Sequence, residues 1–119
     1  MMTFYDLYGN ALAYCEDGEH IYLFSGEAVA YLYNDIVYGY NGRQFGCFEN
    51  GWIRDLGGHC VFFTEDSYGS GPAKPAKRAK SAKCAKYARP AKCAKHARRA
   101  KAAKSCSWSN LSGIQFFYQ

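Results

Sequence analysis

The residue types able to do chemistry here are six cysteines and three histidines in a chain of 119 residues. Cys84, Cys93, His96 and Cys106 give the spacing C-x8-C-x2-H-x9-C. A structural zinc site takes such ligands but usually begins with a close C-x2-4-C pair, and this spacing has none. His59 and Cys60 are adjacent, which on a strand sends base and thiol to opposite faces. Asp6 and Asp55 recur at one repeat position and could form an acid–base pair, but no other group converges with them, so a polar turn position is the plainer reading. In VYGYNGRQFG, Gly39, Gly42 and Gly46 raise the question of a phosphate loop. Such a loop needs a helix start after the glycines, and RQFGCFEN offers none. The expectation is no catalytic residue, no metal site and no cofactor, in a chain that is not an enzyme.

The elements that would position these residues form a fourfold repeat. FYDLYGNALAY, IYLFSGEAVAY, VYGYNGRQFGC and IRDLGGHCVFF align on Gly9, Gly26, Gly42 and Gly58, which are 17, 16 and 16 residues apart. Apolar residues recur five before each glycine (Phe4, Ile21, Val37, Ile53), two before it (Leu7, Phe24, Tyr40, Leu56) and three after it (Leu12, Val29, Phe45, Val61). Each copy reads as strand, tight turn ending in glycine, and strand, because glycine accepts the positive φ that two-residue hairpin turns demand. Small residues two and four places after the glycine are expected on one face near a central axis, with the larger residues between them facing an outer core. Tyr5, Tyr22 and Tyr38 share a column with Arg54 and are read as packing between hairpins.

Charge divides the chain in two. All ten acids lie between Asp6 and Asp66, where the only cations are Arg43 and Arg54. Seven of those acids fall in the connections between copies, which would set them on a common rim. From Pro72 to Lys104 the chain is eleven triplets, x-Ala-Lys/Arg, containing Lys74, Lys77, Arg78, Lys80, Lys83, Lys86, Arg89, Lys92, Lys95, Arg98, Arg99, Lys101 and Lys104. A period of three suits an extended polyproline chain. On an α-helix it would spiral the charges around the cylinder and leave no apolar stripe to dock. The expectation is a flexible, largely disordered basic arm.

The organisation read from sequence is therefore all-β: residues 1–69 form four consecutive hairpins in a pseudo-fourfold arrangement, 70–105 form the basic linker, and 106–119 form a C-terminal strand segment packing on the β domain. No basic leader opens the chain and no apolar run reaches a membrane span, so the expected compartment is the cytoplasm, with no membrane partner. In that reducing setting the cysteines read as small apolar filler.

The four hairpin units, especially IYLFSGEAVAYLYNDIVYGYNG and CFENGWIRDLGGHCVFF, together with the triplet linker and WSNLSGIQFF, resemble the bacterial four-fold β-flower proteins. That resemblance implies a compact pseudo-fourfold β domain of uncharacterised function and brings no catalytic motif. The functional expectation is a non-catalytic interaction module with an unknown protein partner. The alternative is sequence-nonspecific nucleic-acid binding through the thirteen arm cations, which could neutralise phosphates without reading bases. An unidentified enzyme stands third, and the oligomeric state is left open.

Overall fold

The computed structural model describes residues 1–119. Eight antiparallel strands follow in chain order: β1 (Met2–Tyr5), β2 (Ala11–Cys15), β3 (His20–Leu23), β4 (Ala28–Tyr33), β5 (Ile36–Tyr38), β6 (Gln44–Glu49), β7 (Trp52–Asp55) and β8 (Cys60–Phe63). Each strand pairs with its sequence neighbours, and Tyr5 opposite Phe63 joins β1 to β8 to close a barrel. Closure removes the free edges that an open eight-stranded sheet would expose. The four repeat copies are the hairpins β1–β2, β3–β4, β5–β6 and β7–β8.

Gly9, Gly26, Gly42 and Gly58 stand at φ of 81°, 102°, 86° and 86° in the four hairpin turns. Each donates its N–H to the carbonyl three residues earlier, at 2.9–3.1 Å. Asp6 and Asp55 cap the first and fourth turns rather than forming a carboxylate pair. Asp6 Oδ1 accepts from the N–H of Tyr8 and Asn10 at 2.9 Å. Asp55 Oδ1 accepts from Gly57 and His59 at 2.9 and 3.0 Å.

A β-bulge repeated in every hairpin corrects the expected assignment of faces. The register runs Phe4–Ala13 then Tyr5–Ala11, Ile21–Ala30 then Tyr22–Ala28, Val37–Gly46 then Tyr38–Gln44, and Ile53–Phe62 then Arg54–Cys60. Leu12, Val29, Phe45 and Val61 are each skipped. An extra residue reverses the alternation of side chains on its strand. Val29, Phe45 and Val61 therefore join Ala13, Ala30 and the column Phe4, Ile21, Val37, Ile53 in the inner core. Ala11 and Ala28, expected on that same inner face, pack instead against aromatic clusters on the outer wall.

The C-terminal segment is not a strand. Residues Gly113–Phe117 form a short helix, α1, because Ser112 caps it: the Ser112 hydroxyl accepts from the Gln115 N–H while the Gln115 side chain accepts from the Ser112 N–H. This reciprocal cap satisfies donors that a helix start otherwise leaves orphaned. Phe116 and Phe117 enter the inner core, with Phe117 stacked on Phe62 at 5.2 Å between ring centroids. Just before the helix, Trp108 makes a single parallel bridge to Cys60.

Residues 70–105 contain no helix or strand. They do not project as the flexible arm expected from composition. They run around the outside of the barrel, meeting the four hairpin turns in sequence order, and form a belt.

Candidate functional site

The belt and the wall beneath it form the most elaborate surface of the molecule, and its spacing can be built from the backbone. Arg78 donates its N–H to the Gly9 carbonyl at 2.9 Å, Tyr87 to Gly26 at 2.9 Å, His96 to Gly42 at 2.8 Å and Ser105 to Gly58 at 3.1 Å. Those four donors stand nine residues apart, so three triplets span each hairpin. Cys84 and Cys93 add bonds to Phe24 and Tyr40 at 2.8 and 2.9 Å; Pro75, at the matching place on the first hairpin, has no N–H to give. A Cβ built on any of the four turn glycines would fall on the carbonyl oxygen of Ala76, Ala85, Ala94 or Ala103. Glycine is thus required there twice, for its positive φ and for the approach of the belt.

Length agrees with spacing. At ~3.1 Å per residue, nine residues span ~28 Å and four hairpins take ~110 Å, about the perimeter of a disc 36 × 35 Å across.

The third-slot lysines each reach an aromatic ring or a carboxylate. Lys92 and Lys95 sit over the Tyr31 ring at 4.4 and 5.5 Å, Lys83 and Lys86 over Tyr14 at 5.2 and 6.0 Å, and Lys77 over Tyr5 at 6.0 Å. Lys95 also lies 4.3 Å over Tyr33, and Lys74 lies 5.8 Å over Trp52. Tyr14 and Tyr31 are each only 1% exposed. Around the acidic rim, Lys83 and Lys86 hold Glu16 at 2.6 and 2.5 Å, Lys92 holds Glu19 at 2.5 Å and Lys80 holds Glu65 at 3.5 Å. In the third hairpin Cys47 stands where Tyr14 and Tyr31 stand in the first two, five residues after the turn glycine, and Lys101 and Lys104 turn to Glu49 at 3.7 and 3.6 Å. Exposed ion pairs are individually weak, and a periodic array supplies direction more than strength.

These hydrogen bonds shift acidity. Donation from Lys83 and then Lys86 pulls the Glu16 carboxyl down to about 2. Lys92 lowers Glu19 in the same way, and Glu16 raises Lys86. Burial raises the Tyr31 phenol.

Arg54 explains why the fourth hairpin departs from the tyrosine column. The belt begins and ends at this hairpin, so its two ends must be joined there. The Arg54 side chain is 3% exposed, and its Nη1 donates to the Gly58 and Ser105 carbonyls at 2.8 and 2.7 Å. Nη2 donates to the Ser70 carbonyl. One guanidinium therefore clasps both ends of the belt, which its planar fork of donors allows and a phenol does not.

The remaining sequence candidates stay apart. No group of three His, Cys, Asp or Glu side chains comes together. Cys84, Cys93 and Cys106 are exposed along the belt. His96 is exposed there too, and His20 sits against Asp17 at 2.6 Å with Arg89 3.2 Å away. Cys60 is fully buried, and burial pushes its thiol up to about 11 while also raising Cys15 and Cys47. Arg78 bonds the Tyr8 carbonyl through Nε, whereas Arg43, Arg98 and Arg99 enter no ion pair. No helix is long and apolar enough to cross a membrane.

Four hairpins of one pattern, closed into an eight-stranded barrel, define a pseudo-fourfold β-repeat protein. The family of 4-fold beta flower proteins matches residues 2–117, and the chain belongs to it. No curated protein and no solved structure matches the chain.

Proposed function

We propose that the protein is a non-catalytic interaction module whose recognition surface is the aromatic and acidic outer wall of the barrel. Its own residues 72–104 occupy that surface as a tethered ligand. The observation that carries this reading is the nine-residue recurrence of belt hydrogen bonds at Gly9, Gly26, Gly42 and Gly58. The wall offers, at each step, a carbonyl for an N–H and a ring or carboxylate for a cation. Its protein partner would present the same chemistry, an extended alanine-rich segment with a cation every third residue. Six free thiols, three of them exposed, fit a cytoplasmic setting where such groups stay reduced.

The test uses a labelled peptide of residues 81–98. In the wild type the tethered segment outcompetes it through high effective concentration. Replacing Lys83, Lys86, Lys92 and Lys95 with Gln should loosen the belt and admit the peptide, read by fluorescence anisotropy. A loosened variant that does not bind the peptide contradicts the reading.

Nucleic-acid binding is the second reading, favoured by one observation. Arg43 and Arg99 line a single cleft with His96 while free of acidic partners. Many of the lysines are engaged with the barrel, so the arginines would lead. A labelled duplex should bind wild type at about 50 mM salt and lose affinity steeply as salt rises. Arg43→Gln, Arg98→Gln and Arg99→Gln together should weaken it more than the lysine variant does; absence of binding at low salt removes this reading.

A further inference from the structure

One column of the repeat changes chemistry at the second hairpin. Seven residues after the turn glycine stand Glu16, Tyr33, Glu49 and Glu65. The three glutamates hold belt lysines: Glu16 takes Lys83 and Lys86, Glu49 takes Lys101 and Lys104, and Glu65 takes Lys80. The nine-residue step of the belt puts Lys95 in the same slot as Lys86 and Lys104, where each of those meets a carboxylate. Lys95 meets Tyr33 instead, and it enters no ion pair.

The strand pairing builds a cage at this point. Tyr31 and Tyr33 are two apart on β4, so they share a face, and Tyr38 on β5 pairs directly with Tyr31. Tyr31 and Tyr38 stack at 5.7 Å between centroids, and Tyr33 lies 6.5 Å from Tyr38, tilted by 59°. The Lys95 Nζ lies 4.3 Å from the Tyr33 centroid, 5.5 Å from that of Tyr31 and 5.8 Å from that of Tyr38. It is the one lysine set over three rings. Lys92 shares the Tyr31 ring, but Glu19 holds it at 2.5 Å and offsets its charge. Tyr31 and Tyr38 are buried, whereas Tyr33 is 52% exposed and leaves the cage open to solvent. A carboxylate favours a compact ammonium that donates hydrogen bonds, and ring faces favour a diffuse cation whose methyl groups touch them. We propose that Tyr31, Tyr33 and Tyr38 form an aromatic cage selective for a quaternary ammonium, with the unmodified Lys95 as its weaker resident. That group comes either on a free small molecule or on a methylated lysine side chain at position 95. A neutral group of the same shape gains only the apolar contact.

The cage lies within the belt groove and rests on the reading of that wall as a recognition surface. Choline carries neither a backbone donor nor an alanine, so its binding reads the cage alone, while the peptide competition reads the groove. In the full chain with Lys95→Ala, choline should shift the ring signals of Tyr31, Tyr33 and Tyr38 saturably in nuclear magnetic resonance. Its neutral isostere, with tert-butyl in place of trimethylammonium, should bind about fivefold more weakly. Tyr33→Leu added to that variant changes an exposed residue at the end of β4. It should keep the circular dichroism and lose choline affinity about fivefold. For the side-chain source, Lys95→trimethyllysine is installed by ligation at Cys93. The His96 N–H, bonded to the Gly42 carbonyl, should then exchange about fivefold more slowly than in wild type. Choline binding alone assigns the cage to a free ligand, and slower exchange alone assigns it to a methylated lysine. Absence of both, equal affinity for the neutral isostere, or choline affinity unchanged by Tyr33→Leu would each overturn the proposal.

Discussion

At the scale of single residues, Gly42 and Arg54 carry the sharpest expectations. Gly42 lies at φ 86° with the Ala94 carbonyl where a side chain would begin. Gly42→Val should cost about 1–3 kcal/mol through backbone strain and should also free the belt locally. Thermal melting together with trypsin cleavage after Lys95 checks both effects, and an unchanged melting temperature contradicts the turn. Arg54→Met keeps the side-chain bulk but removes the guanidinium donors to the Ser70 and Ser105 carbonyls, and leaves the Gly58 carbonyl with the Ser105 N–H alone. It should cost about 2–4 kcal/mol in denaturant unfolding and expose Lys74 and Lys104, near the two belt ends, to trypsin. The turn glycines were legible in sequence because their physics is local. The clasp was not, since Arg54 stood out only as a break in the Tyr5, Tyr22, Tyr38 column, and its partners at the two ends of the belt lie 16 and 51 residues away.

At the scale of elements, the hairpins were legible from apolar columns at near-constant spacing, but their faces were not. A bulge leaves the residue count of a strand unmarked, so Ala11 and Ala13 read as neighbours on one face until pairing shows Leu12 skipped between them. The helix α1 did have a signal, Ser112 with Gln115 three places on, and the glycine between them drew the reading toward a turn. The belt is sensitive to pH through its carboxylate partners. Because Glu16 titrates at about 2 when folded against an ordinary 4.5, its pairing contributes fully above pH 4.5 and is lost as pH falls through about 2. Glu19, lowered by Lys92, acts in the same direction. Acidification from pH 5 to pH 2 should therefore loosen residues 70–105, and small-angle scattering should show the radius of gyration rising from a compact value near 13.3 Å. An unchanged radius contradicts the electrostatic part of the belt.

At the scale of the whole molecule, the triplet repeat and the hairpin repeat are one design. The lengths were in the sequence all along: eleven triplets extended at ~3.1 Å per residue reach ~100 Å, close to the distance around a barrel of this size. What concealed the match is that each triplet looks alike, so the nine-residue step set by the barrel leaves no mark in the slots that vary. Composition alone therefore read as a free arm. The belt instead covers aromatic rings of the outer wall, so the wall's tyrosines and the arm's lysines explain each other. Site-resolved amide hydrogen exchange of the full chain tests this most directly. Slow exchange is expected at Arg78, Tyr87, His96 and Ser105, with Cys84 and Cys93 also protected, and fast exchange at the alanines between them. Uniform exchange at unfolded-chain rates from residue 72 to 105 would contradict it.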